Sequence, residues 1–91
     1  MMREVGMIAK SKAGHDKDAY YVVWDFDDQY AWLTDGRLKP LESPKKKKWK
    51  HIQIAYTIPE NLKEKLPNKD AVRNEDIKYA IKMYTRVGMK M

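Results

Sequence analysis

GMIAKSKAGHDKDAYYVV, residues 6–23, decides how this chain folds. Met7, Ile8 and Ala9 begin an apolar run that gives way to Lys10, Ser11 and Lys12. The segment Ala13-Gly14-His15-Asp16-Lys17-Asp18 then leads into a second, strongly β-prone run from Tyr20 to Trp24. Two such runs joined by a short glycine-bearing connection predict a β-hairpin. Gly14 supplies a turn residue that takes positive φ without steric cost. Lys10, Lys12, His15 and Lys17 lie within or beside the turn. Three permanent cations and one titratable ring are therefore expected at one end of a small sheet.

Working outward, residues 5–11 and 19–26 read as the first two strands. In the second, Tyr20, Val22 and Trp24 point to one face, and Tyr21, Val23 and Asp25 to the other. Both faces are largely apolar, as a tightly curled sheet requires. Asp27-Asp28-Gln29 is a polar turn before a third strand over residues 30–34. Asp35-Gly36 is a two-residue hairpin signal of type I′, predicting a short fourth strand over residues 37–41. Pro40 marks that strand as an edge or a bulge. Residues 42–48 contain Pro44 and four consecutive lysines, so like-charge repulsion predicts an exposed loop. A fifth strand covers residues 51–56. Five short strands with closely spaced turns point to an all-β barrel, whose closure removes exposed edges.

After Tyr56 the period changes. Thr57-Ile58-Pro59-Glu60 fits a capping box with proline in the first helical turn. Leu62 and Leu66 lie four apart on a short helix that Pro67 stops. Residues 68–73 read as a polar linker. Asn74 is a helix N-cap, followed by Glu75 and Asp76 at the positive end of the helix dipole. Ile77, Ala80, Ile81, Tyr84 and Val87 form one apolar stripe, and Gly88 is the expected terminator. The expected division is a barrel over residues 1–56 and a helical C-terminal extension over residues 57–91.

The length of 91 residues suits one small domain with a thin core. The chain has no cysteine, which excludes disulfides and thiolate metal sites and fits a reducing compartment. No apolar run approaches a bilayer span and no signal-peptide pattern stands at the start, so a cytoplasmic protein without membrane contact, monomeric when free, is expected. Nineteen Lys and Arg against 13 Asp and Glu give a formal charge of +6. Lys45, Lys46, Lys47, Lys48 and Lys50 crowd one stretch, while Asp25, Asp27 and Asp28 form an acidic spot. That clustering raises a polyanionic partner above a merely solvated surface.

The hairpin and the strands after it resemble a KOW-domain RNA-binding protein, similar to small bacterial relatives of KOW-type archaeal and eukaryotic large-subunit ribosomal proteins. The resemblance is carried by Val5-Gly6, Ser11-Lys12-Ala13-Gly14-His15-Asp16-Lys17, Tyr21-Val22-Val23 and Leu33-Thr34-Asp35-Gly36. Leu38-Lys39-Pro40-Leu41-Glu42, Pro44 through Lys48 and Lys50-His51-Ile52 extend it, and Asn74-Glu75-Asp76-Ile77 resembles the start of the C-terminal helix of that group. The likeness implies a five-stranded SH3-like barrel whose first hairpin turn meets RNA, often within the ribosome. The family pattern has glycine where this chain has Asp18. Aspartate tolerates left-handed backbone better than most residues, but its charge repels phosphate.

Lysines grip phosphates by charge and carry little sequence information. Lys10, Lys12 and Lys17, with Gly14 and His15 in the turn, form one expected half of an RNA grip. Lys45, Lys46, Lys47, Lys48, Trp49 and Lys50 form the other. Trp49 can stack on a base, although a tryptophan after a loop more often anchors it to the core. Trp24, Trp32 and Tyr20 read as core. Two histidines without paired spacing predict no metal site. The aspartates sit at a turn and no nucleophile–base pair or phosphate loop is present, so neither catalysis nor a cofactor is expected. The expected function is non-catalytic binding of ribosomal RNA in translation or ribosome assembly. The alternative is an SH3-like protein-interaction module that recruits ribosomal or transcription proteins through exposed Trp24, Trp32 or Tyr84.

Overall fold

A computed structural model describes residues 2–86, so Val87 and Gly88 of the expected stripe and terminator lie outside the described residues. Five strands, β1 (Ile8–Ser11), β2 (Tyr20–Phe26), β3 (Tyr30–Thr34), β4 (Lys45–Lys48) and β5 (Ile52–Ala55), form one antiparallel sheet in the order β4-β3-β2-β1-β5. A 3₁₀ turn, Trp49–His51, joins β4 to β5, and no ladder closes these two edges on each other. Helix α1 (Glu60–Lys65), a 3₁₀ segment (Leu66–Ala71) and helix α2 (Asn74–Arg86) follow.

The lysine run is the main correction. Lys45–Lys48 is not a loop but β4, paired with β3 so that Leu33 faces Lys45 and Ala31 faces Lys47. Residues 37–41 form no strand. The Asp35 carboxylate accepts the Arg37 and Lys39 N–H groups at 2.8 and 2.9 Å, closing a compact turn in place of the expected hairpin. Gly36 takes φ +76° there, and a Cβ would collide with the Asn74 carbonyl, so this turn is pressed against the first turn of α2.

A bulge in β2 settles which face each side chain takes. Val23 pairs with Leu33 but Asp25 pairs with Trp32, leaving Trp24 as the extra residue. Past the bulge the alternation is reversed. Asp25 lies on the face of Tyr20 and Val22, not with Tyr21 and Val23 as expected, and Phe26 joins the opposite cluster.

The two faces bury apolar surface in different ways. On the outer face, Ile8 and Val22 pack under Leu62, Val72, Ile77, Ala80 and Tyr84, with Tyr20 and Trp24 half-buried at the margin. The α2 stripe thus packs on the sheet itself. On the inner face, Ala9, Tyr21, Val23, Ala31 and Leu33 cluster with Trp49, and among the described residues no helix covers them. The β1–β2 loop covers part of this face, because Lys47 Nζ reaches the Ala13 carbonyl at 3.0 Å. In a flat sheet β4 and β1 stand three strand spacings apart, about 14 Å.

The helix entries also depart from expectation. Pro59 precedes α1 with no side-chain cap, so the capping box is not formed. At α2 it is Asp76 that reaches back to accept the Arg73 N–H at 2.8 Å. Asn74 instead accepts the Leu41 N–H at 2.8 Å and donates to Glu42 at 2.9 Å, tying the 40s segment to the helix. The expected polar linker is largely the 3₁₀ segment.

Candidate nucleic-acid interface

The hairpin loop is built around one carboxylate. Asp16 Oδ1 accepts the Ser11 hydroxyl and Lys47 Nζ, both at 2.9 Å, and Oδ2 accepts the Tyr21 hydroxyl and Lys45 Nζ, both at 2.8 Å. Four donors saturate two oxygens. The side chains of Asp16 and Lys47 are only 14% and 10% exposed, so the pair sits in a poorly screened environment. Burial opposes ionisation of Asp16, but the bonds from Lys45, Lys47, Tyr21 and Ser11 outweigh it and hold the carboxyl well below the usual carboxylate range. Burial and the neighbouring Asp16 charge push the Tyr21 hydroxyl far above its ordinary value, so it remains a donor.

With its underside clasped, the loop has a defined backbone. The Asp18 N–H donates to the Ser11 carbonyl at 2.8 Å, and the Ala19 N–H to the Asp16 carbonyl at 2.9 Å. Asp18 has φ +74°, the single left-handed non-glycine residue among the described residues. Its exposed carboxylate lies 3.7 Å from Lys10 Nζ, a long pair worth little energetically. Lys12, Gly14, His15 and Lys17 face solvent from this end. Lys10 is half-buried, 5.6 Å above the Tyr20 ring.

The residues of the second expected half separate. Lys45 and Lys47 point inward to Asp16. Lys46 and Lys48 are exposed on the outer face opposite Trp32 and Tyr30, and Lys46 Nζ lies 4.2 Å from the Tyr30 ring centroid. Trp49 is buried, its indole N–H donating to the Asp27 carbonyl at 2.8 Å and its ring edge-on to Phe26, so it is an anchor with no face for a base. Lys50 is exposed. Tyr30 and Trp32 are half-buried and lie outside both core clusters. The Tyr30 and Gln29 N–H groups hold the Asp27 carboxyl below its usual range, as a turn-forming acceptor beside Lys46.

Three exposed cations outside the expected set, Arg37, Lys78 and Lys82, stand together around a cleft beside α2. The i,i+4 spacing of Lys78 and Lys82 beside the apolar stripe is a readable signal. Nothing local places Arg37 beside them.

No protein-family model matches the chain, and no curated protein matches it. Chemically, the hairpin end offers exposed ammonium groups and an imidazole on a hydrogen-bonded backbone. That arrangement binds phosphate oxygens without reading bases.

Proposed function

We propose that this chain is a non-catalytic RNA-binding module of KOW type, an SH3-like barrel with a helical extension, acting on ribosomal RNA in the cytoplasm. The observation that carries this reading is the clasped hairpin end. Asp16 fixes the loop from inside, so Lys12, His15 and Lys17 meet a phosphate backbone from a preorganised frame. The left-handed Asp18 supports the resemblance, because the KOW pattern has glycine at that position and this backbone needs glycine-like geometry there. RNA contact extends to Lys46, Lys48 and Lys50, whereas Lys45 and Lys47 position the loop.

Helical RNA is recognised largely by shape and phosphates, so binding should be steeply salt-dependent. The test is anisotropy of a labelled structured RNA from 50 to 300 mM salt. Lys12→Ala with Lys17→Ala should lower the log–log slope by about one to two, in line with roughly one phosphate per lysine. A flat slope for the wild type would sink the reading. The competing reading, a protein-interaction module, draws on half-buried Tyr30 and Trp32, which lie outside both core clusters beneath Lys46. Tyr84, expected on that surface, is buried. Trp32→Ala abolishing capture of ribosomal or transcription proteins, with RNA affinity unchanged, would favour that alternative.

A further inference from the structure

The cleft between α2 and the Asp35–Gly36–Arg37 turn has a volume of about 640 Å³ and is lined by Tyr20, Asp35, Arg37, Lys78, Ile81 and Lys82. Arg37, Lys78 and Lys82 are exposed at its rim, and among the described residues none of the three forms an ion pair. The one carboxylate in the lining, Asp35, accepts the Arg37 and Lys39 backbone N–H groups through Oδ1, so the lining carries three cations against one anion. Lys78 and Lys82 lie one helical turn apart, where like charges repel and weaken the helix unless an anion joins them. The core contacts that hold α2 are made by Ile77, Ala80 and Tyr84 and by neither lysine.

The cleft is also rigidly framed. Gly36 presses the turn onto Asn74 and Lys78, fixing the backbone from which Arg37 projects. Tyr20 links the cleft to the hairpin end. It lines the cleft, packs 6.0 Å from Tyr84, and carries Lys10 above its ring, while Lys10 in turn pairs with Asp18 in the hairpin loop.

We propose that this cleft is a second phosphate seat, in which Arg37, Lys78 and Lys82 hold a backbone phosphate of the same RNA strand that the hairpin end engages. The inference rests on the RNA-binding reading and adds a second point of attachment. A guanidinium pairs with two phosphate oxygens at once, while ammonium groups act as point charges. Tyr20 and Ile81 supply an apolar floor for the adjoining sugar. A chain held at two points gains affinity through effective concentration, and the register between the points selects RNA shape.

The test uses the full chain and a labelled structured RNA. Arg37→Gln, Lys78→Gln and Lys82→Gln together should reduce the log–log salt slope by about two and weaken binding about tenfold or more at 100 mM salt. Lys63→Gln, which removes a charge elsewhere, should change affinity less than twofold. Addition of pyrophosphate should shift the amide resonances of Arg37, Lys78 and Lys82 in the wild type, and no shift there would overturn the seat. An unchanged slope in the cleft variant, alongside a reduced one in Lys12→Ala/Lys17→Ala, would remove the cleft and leave RNA binding intact. Equal affinity for polyglutamate of matched charge would overturn phosphate as the ligand. Because all three side chains are exposed, the variant should keep the wild-type thermal transition, which circular dichroism checks directly.

Discussion

Lys45 and Lys47 differ from Lys46 and Lys48 in nothing but parity. All four are consecutive residues of one strand, yet two turn inward to a half-buried carboxylate and two outward to solvent and aromatic rings. A period of two divides a uniform charge run into an internal ionic clasp and an external cationic face. A charge run is therefore not one functional unit. What each lysine does depends on which face of the pleat it occupies and what waits there.

The sharpest way to break this comparison is to truncate one residue from each side. Lys47→Ala leaves Asp16 with three of its four donors in a largely enclosed site, and losing one such partner costs about 1–3 kcal/mol. Lys46→Ala removes an exposed cation and should stay within about 0.5 kcal/mol of wild type. Urea denaturation of both variants checks the contrast. Equal losses would mean the clasp carries no special stability.

A second probe is acid. Asp16 and Asp76 both have carboxyls held below the ordinary value, against the opposing pull of burial. A depressed folded pKa contributes stability that is fully present above the unfolded value and lost as pH falls through the folded one. Wild-type stability should therefore hold down to roughly pH 5 and decline below about pH 4, near the unfolded carboxyl value. Asp16→Asn should be less stable at pH 7 and fall less on acidification. An unchanged acid limb would show that Asp16 is not the group responsible.

RNA binding sharpens the same contrast with a smaller effect. Lys46→Ala with Lys48→Ala should lower the salt slope by about one to two, whereas Lys45→Ala should leave the slope unchanged. A slope change in Lys45→Ala without unfolding would return that lysine to the RNA surface. The smallest effect is expected at Asp18. Glycine there relieves a left-handed backbone strain but also loosens the unfolded chain, for a net gain of about 0.5 kcal/mol. It removes a negative charge from the hairpin end as well, so RNA should bind more tightly.

Much of the architecture was legible from local pattern. The first hairpin, the third strand at residues 30–34 and the α2 stripe from Ile77 to Tyr84 arise from apolar periodicity, and they stand where that periodicity put them, except that β1 begins at Ile8 and not at residue 5. Trp49 reads as an anchor from its position after an expected loop, and it is one, although the residues before it form β4. The failures share a cause. Lys45–Lys48 has no apolar residue to announce a strand, because its inward side chains are neutralised by an aspartate 29 and 31 residues away in sequence. Asp35-Gly36 carries a hairpin signature, yet its left-handed glycine serves to bring a turn against α2. The bulge at Trp24 gave no warning either, since a strand apolar on both faces conceals a reversal of alternation.

By itself, then, the sequence determined a small, basic, mainly β chain with a glycine hairpin and a C-terminal amphipathic helix, because periodicity, turn chemistry and net charge are local properties. Only the tertiary structure decided which lysines are free. Neutralising an inward-facing cation requires a partner from another strand or loop, and that pairing exists only once the inner face and the hairpin loop meet. The same meeting turned Asp16 from one more loop residue into the centre of the site, and the packing of α2 on the sheet brought Arg37 beside Lys78 and Lys82.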